Sequence, residues 1–201
     1  MTDARMYSPS TARNRDAILG VLRPHLSAAR SVLHIAEGSG EHVVHFARSM
    51  PDTIFQPTDP DAAARASIDA WATETGLANV RSAMALDVTV QPWPVADTDA
   101  VICINMIHIS PWAATLGLLR GAAQVLDVGG LLFTYGPYRR GGAHTAGSNT
   151  AFDQDLRRRN PEWGIRDLEA VAAAAKAEGF EAPIIEAMPA NNLSLIFRKH
   201  P

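Results

Sequence analysis

Short apolar runs alternate with amphipathic stretches along most of the chain. Residues 31–36, Ser-Val-Leu-His-Ile-Ala, read as a short buried strand, Gly38-Ser-Gly40 as a turn, and 41–49 as a helix with Val44 and Ala47 on overlapping faces. The unit then repeats. Residues 53–58 form a second strand, and Asp59 before Pro60 predicts an N-cap with proline at the first helical position, opening a helix to about Gly76. A third strand fits 80–86. Residues 87–98, with two prolines around Trp93, read as a loop, and the unbroken apolar run 100–104 predicts a strand covered on both faces, hence central in its sheet. Ser110-Pro111 repeats the cap signal before a helix from Trp112 to about Leu126, which Gly129-Gly130 closes ahead of a strand over 131–135. Residues 136–148 are too long and too polar for a tight connection, which marks a functional or mobile loop. Asp167 caps a helix ending at Gly179, and 182–187 and 193–198 read as two strands joined through Pro189-Ala-Asn-Asn192. Ahead of all this, Ser10 or Thr11 caps a leading helix carrying Ile18, Leu19, Val21 and Leu22, weakened at Pro24.

Strands alternating with helices imply an α/β fold: a mostly parallel sheet with right-handed crossovers and helices on both faces. Ligands of such sheets bind beyond the carboxyl ends of the strands. The loops 36–41, 59–61, 87–89, 105–112 and 136–148 are therefore expected on one rim, with residues 1–30 outside the sheet and 31–201 forming the ligand-binding unit of a single domain.

Composition narrows the reading only slightly. A chain of 201 residues, 47% hydrophobic and 19% charged, can bury a core without disulfides. No apolar run reaches the roughly 18 residues of a membrane span. A net charge of −3 offers nothing to a polyanion, despite local clusters at Arg139-Arg140 and Arg157–Arg159, so no nucleic-acid partner is expected. The polar start lacks the apolar core of a signal peptide, which points to a cytoplasmic protein. The single cysteine, Cys103, lies in the apolar run 100–104 and reads as a buried hydrophobe.

The turn Val32-Leu-His-Ile-Ala-Glu-Gly-Ser-Gly40 carries the chemical signal. Glycines after a strand let a ligand approach the backbone, and the amides opening the next helix face hydrogen-bond acceptors. Val43 stands where a dinucleotide site wants its third glycine, which weighs against NAD. Asp59, about 20 residues on, either accepts ribose hydroxyls or merely caps the helix begun by Pro60. Asp87 either accepts the amino group of an adenine or is a turn aspartate.

Taken together, the glycine turn, Asp59, Ala-Leu-Asp87 and Ile-Asn105 resemble the ordered motifs of class I S-adenosylmethionine (SAM)-dependent methyltransferases. More closely, Tyr7-Ser-Pro-Ser-Thr-Ala-Arg-Asn-Arg15, Gln56-Pro-Thr-Asp-Pro60, Ile104-Asn-Met-Ile-His-Ile-Ser-Pro-Trp112, Tyr135-Gly-Pro-Tyr-Arg-Arg-Gly-Gly-Ala-His144 and Met188-Pro-Ala-Asn-Asn-Leu193 resemble segments of the methyltransferase-like protein 26 family. The resemblance implies a Rossmann-like class I methyltransferase fold with seven strands, the last antiparallel, and SAM across the first two strand ends. It implies cofactor contacts at Gly38, Ser39, Gly40, Asp59, Asp87, Val88 and Asn105. Two positions depart from the pattern: His34 replaces the usual acid and Ala36 the first glycine. The methionine half of SAM is then left to Glu37 or to a lid carrying Tyr7, Arg13 and Asn14, unless that leading segment simply covers the sheet edge.

Methyl transfer from a sulfonium requires donor and acceptor held in line with water removed. His108 and His144 are candidate bases, or else hydrogen-bond within their turns. Tyr138 can orient the acceptor, Met106 and Trp112 can line its site, and Arg139 and Arg140 can hold an acidic group or stand solvated. A small-molecule acceptor is expected, with no metal, because His42 and His45 lack further ligands. The rival readings are a non-catalytic SAM-binding protein and a nicotinamide-dependent oxidoreductase. The oligomeric state has no signal in the sequence.

Overall fold

A computed structural model describes residues 3–95 and 97–200. Along them run α1 (Pro9–His25), β1 (Ser31–Ile35), α2 (Glu41–Ser49), β2 (Ile54–Pro57), α3 (Ala62–Thr75), β3 (Thr98–Ile104), α4 (Trp112–Val125), β4 (Leu126–Gly136), β5 (Arg139–Arg140), β6 (Ala143–His144), α5 (Gly147–Arg159), α6 (Leu168–Ala177), β7 (Ile184–Met188) and β8 (Asn192–Arg198). The apolar run 100–104 is buried throughout and lies inside the sheet, in the order β2-β1-β3-β4-β8-β7. The strands β1 to β4 are parallel, and β8 is antiparallel to both β4 and β7.

Alternation along the strands divides the core in two. Leu33, Ile35, Val101 and Cys103 meet Leu118 and Leu119 of α4 and Val171 of α6, while Val32, Ala100, Ile102 and Ile104 meet Ile18 of α1, Phe46 of α2 and Ile68 of α3. Side chains two apart share a face and neighbours oppose, so each central strand feeds both layers. Ser8 caps α1, accepting the Thr11 N–H at 3.3 Å, with Pro9 in the first turn; the cap lies two residues earlier than Ser10.

Among the described residues six strands form the main sheet, one fewer than the resemblance implies. The missing one is 80–86, reduced to isolated bridges at Val80 and Met84. Pro57 explains the break. It has no N–H to donate to the outer chain, so the ladder that joins Phe55 to Asn79 and Arg81 stops and resumes at Met84, whose N–H donates to the Pro57 carbonyl and whose carbonyl accepts the Asp59 N–H, both at 3.1 Å. The Gln56 side chain fills the gap, donating to the Ser82 carbonyl at 2.9 Å.

Two further expectations change. The stretch 136–148 is no open loop: β5 and β6 pair as a hairpin whose Gly141 and Gly142 N–H groups are held by Glu169 and Asp167 at 3.1 and 2.8 Å. The carboxylate of Asp167 therefore serves the hairpin, although its residue stands at the N-cap of α6. Helix α5 has no apolar periodicity because its buried positions are Asn149, Asp153 and Leu156, a helical spacing carried mostly by polar residues.

The loop after 86 is pinned by glycines of α4. A Cβ on Gly117 would lie 2.3 Å from the Val88 carbonyl oxygen, and one on Gly121 would lie 2.0 Å from the ring of Trp93. Trp93 is thus the packing residue of that loop. Gly20 in α1 faces open space instead. Gly121→Ala should lower the unfolding free energy by about 1–3 kcal/mol through overpacking, and Gly20→Ala should raise it by about 0.5–1 kcal/mol through helix propensity. Urea midpoints at unchanged slope measure both.

Candidate active site

The first strand ends in three left-handed residues, Ala36, Gly38 and Gly40, with φ of +50°, +72° and +97°. A Cβ on Gly40 would sit 2.8 Å from the Ile68 Cα, so the missing side chain lets α2 approach α3. A Cβ on Gly38 would meet nothing within 4 Å, so the backbone there faces open space on the rim. Ala36 adopts the same geometry at a cost of about 1–2 kcal/mol.

Asp59 closes this turn from the neighbouring strand. Its Oδ2 accepts the Gly38 N–H at 3.0 Å and its Oδ1 the Asp61 N–H at 2.9 Å. Asp59 is not the helix cap: Asp61 takes that place, accepting from Ala63 N–H at 2.9 Å. Each carboxylate oxygen of Asp59 keeps a second lone pair, the requirement for receiving a pair of vicinal hydroxyls. Burial raises the carboxyl above its ordinary range, partly offset by the two N–H bonds.

Glu37 turns away from the rim. Its side chain is wholly buried, with one oxygen on the Val43 N–H at 3.0 Å and the other against His34 Nδ1. Burial works to raise its carboxyl, but His34, His42 and the Val43 N–H together hold it below the ordinary value. The expectation that Glu37 reaches the methionine half of SAM is overturned, because the inward imidazole of His34 draws the carboxylate under the turn.

The leading segment lies beside the same turn. Glu41 accepts the Ser8 N–H at 2.5 Å and the Ser39 hydroxyl at 3.0 Å; Ser67 accepts the Met6 N–H at 2.7 Å and donates to the Ser39 carbonyl at 2.6 Å. Tyr7 stands exposed, edge-on to Trp71 at 5.2 Å, and Arg13 is exposed as well. Asn14 points inward and its Oδ1 meets His42 Nε2 at 2.9 Å.

Beyond β2, Pro60, Leu86, Asp87, Val90 and Pro92 line an open cleft of about 400 Å³. Asp87 is exposed and accepts both the N–H and the hydroxyl of Thr89, at 2.9 and 2.7 Å, an Asx turn that leaves its second oxygen outward. Val88 is buried against α4.

The strand ends of β3 and β4 hold the remaining candidates. Asn105 sits there in the left-handed region at φ +62°, followed by Met106 and Trp112, both half-buried. His108 is not on the rim. It is fully buried, its Nδ1 accepts the Arg166 N–H at 3.2 Å, and burial pushes its imidazole down to about 3. Gly136 touches this ring so closely that a Cβ would lie 2.5 Å from Nε2. Tyr138 is likewise buried, bonded to the Thr134 hydroxyl at 2.8 Å, and burial raises its phenol. Neither can act as expected on the rim, since alternation from Thr134 carries Tyr138 into the α4 layer. His144 remains partly exposed, 3.6 Å from Asp153, which is itself held by Arg157 at 2.9 Å and the Ile165 N–H at 2.6 Å. Arg139 is half-buried and Arg140 exposed in the hairpin.

Arg166 is a residue the sequence reading missed. Its guanidinium donates to the carbonyls of Ile107 at 2.8 Å and of Ser110, and lies 5.8 Å from the Trp112 ring. It holds the whole 106–112 turn. Nothing but its place beside Asp167 could have marked it.

Residues 5–199 match the model of a family described as "Protein of unknown function (DUF938)". The fold is that of solved methyltransferases. An O-methyltransferase family protein from Burkholderia thailandensis superposes with a TM-score of 0.83 at 15% identity, over 94% of this chain and 57% of that one. The S-adenosylmethionine-dependent methyltransferase SibL in its apo form gives 0.80 at 20% identity, over 95% and 56%. Human N-acetylserotonin methyltransferase in complex with SAM gives 0.78 at 13% identity, over 96% and 53%. The chain spans a little over half the length of these structures.

The buried Glu37 pair generates a stability prediction. A carboxyl held below its ordinary value of 4.5 contributes stability that is present above that pH and lost as pH falls through the folded value. Glu37→Ala should cost about 3–5 kcal/mol at neutral pH by leaving His34 and the Val43 N–H unpaired. It should also flatten the loss of stability as pH falls below about 4.5. Urea unfolding across that range measures both.

Proposed function

The chain belongs to the DUF938 family of proteins of unknown function, and from its site geometry we propose that it is a SAM-dependent methyltransferase acting on a small molecule. One observation carries the reading: the Gly38 backbone faces open space while its N–H fixes the carboxylate of Asp59 beside it. That is the arrangement an adenosine ribose needs. Within the reading, kinship with the methyltransferase-like protein 26 family rests on the five segments quoted above.

Asp59 accepts the two ribose hydroxyls, the backbone of Gly38, Ser39 and Gly40 lies against the cofactor, and Asp87 with the Val88 N–H reads the adenine edge over the adjoining cleft. Asn105 and the leading segment with Tyr7, Arg13 and Asn14 cover the methionine half. When bound, SAM supplies a sulfonium-activated methyl group. Met106 and Trp112 hold the acceptor and exclude water, with Arg139 and Arg140 at the outer edge. His144, oriented by Asp153, is the candidate base that keeps an accessible ring. A cytoplasmic, reducing setting fits the buried, unpaired Cys103.

A non-catalytic SAM-binding protein is the second reading, favoured by the burial of His108 and Tyr138. The nicotinamide reading is weaker, since Val43 packs fully buried where a third glycine would be needed. Titration calorimetry should show binding of SAM and of S-adenosylhomocysteine, and Asp59→Ala should weaken both by roughly 10- to 100-fold, the worth of one or two bonds to a charged acceptor. Absence of heat with either ligand, for correctly folded protein, would overturn the assignment.

A further inference from the structure

His108 cannot serve as a base, yet its burial leaves a donor unaccounted for. Its Nδ1 accepts the backbone N–H of Arg166 at 3.2 Å, and a backbone N–H can only donate, so Nδ1 carries no hydrogen. Burial keeps the ring neutral, which puts its one hydrogen on Nε2. That N–H is buried and has no partner among the described residues. Folded proteins pair nearly all such donors, so an orphan calls for a reason.

Asn105 stands beside it. The place a Gly136 Cβ would take lies 2.5 Å from His108 Nε2 and 3.1 Å from Asn105 Oδ1, so the ring nitrogen and the amide oxygen flank one methyl-sized space. An N–H attracts the oxygen of an amide and repels its N–H groups, which sets Oδ1 inward and Nδ2 away from the ring. The backbone of Asn105 is already committed: its N–H donates to the Tyr135 carbonyl at 2.8 Å and its carbonyl accepts the His108 N–H at 3.0 Å. What the residue has left to offer a ligand is Nδ2, which is not among the buried, unpartnered atoms. The sheet order says which ligand group reaches it. Asp59 follows β2, the cleft at Asp87 lies beyond β2, and β3 lies on the opposite side of β1. A cofactor with its ribose on Asp59 and its adenine in that cleft has the ends of β1 and β3 for its methionine half.

We infer that Asn105 binds the carboxylate of the cofactor's methionine half through Nδ2, and that His108 is its positioning residue, holding the amide oxygen inward with the Nε2 hydrogen. The inference rests on the SAM reading for the identity of the ligand. With its oxygen turned in, the amide presents N–H groups alone, which suit the carboxylate and refuse the ammonium. Calorimetry with three ligands tests this: S-adenosylhomocysteine, its decarboxylated analogue, which keeps the ammonium, and methylthioadenosine, which has neither charge. S-adenosylhomocysteine should bind at least about 10-fold more tightly than the decarboxylated analogue, and Asn105→Ala should weaken it about 10-fold, the loss of one hydrogen bond to a charged group, while leaving the other two unchanged. His108→Phe keeps a ring and deletes the donor; it should shrink the preference for the carboxylate without weakening methylthioadenosine, which a merely structural lesion would also weaken. Nitrogen NMR of the wild-type imidazole needs no variant to fold: it should show a neutral ring with its hydrogen on Nε2, a resonance that moves with S-adenosylhomocysteine and not with methylthioadenosine. A hydrogen on Nδ1, or an Asn105→Ala variant that weakens all three ligands equally or none of them, overturns the inference. Folded protein that binds none of the three defeats the cofactor reading as well, whereas binding of S-adenosylhomocysteine with no preference for the carboxylate defeats the role of Asn105 and His108 alone.

Discussion

Burying the Glu37 carboxylate beneath the glycine turn obliges the chain to satisfy it, and the satisfied geometry sets the rim. One oxygen takes the Val43 N–H in the first turn of α2 and the other meets His34 on β1, so strand, turn and helix are held in one arrangement. An unpaired carboxylate there would cost several kcal/mol. The turn above is therefore stiff enough to offer the Gly38 N–H to Asp59 in a fixed direction. The Gly38 corner of the rim is organised by a buried pair, Glu37 and His34, that lies beneath it.

From that corner the polar contacts spread outward. Glu41 and Ser67 bind the leading segment to Ser39, and Asn14 ties α1 to α2 through His42. On the other face Arg166 braces the 106–112 turn while the glycines of α4 admit the loop carrying Val88 and Trp93. Both halves of the rim thus combine two devices: missing side chains that let backbones approach, at Gly40 on one and at Gly117 and Gly121 on the other, and polar side chains that tie loops together, Glu41 and Ser67 on one and Arg166 on the other.

Much of the fold could be read from the chain because strands and helices repeat at distinct periods. The burial of 100–104, the glycine turn and the helix 41–49 all follow from local pattern. Patterning failed where polar residues took the buried positions. Helix α5 escaped notice because Asn149 and Asp153 occupy its inner face, and the outermost strand was overcounted because the effect of Pro57 lies in its partner's hydrogen bonds.

The site divides in the same way. Residue type and spacing alone determined that the glycines and Asp59 stand at the ends of the first two strands, because a parallel sheet brings its carboxyl ends to one edge whatever the packing. Only the tertiary structure decided which side chains face that edge. His108, Tyr138 and Glu37 have the right chemistry at the right positions along the chain, yet each finds a better partner inside: the Arg166 N–H, Thr134 and His34. A sequence records what a side chain can donate or accept, but burial and the nearest partner settle where it does so, and those depend on residues far away along the chain.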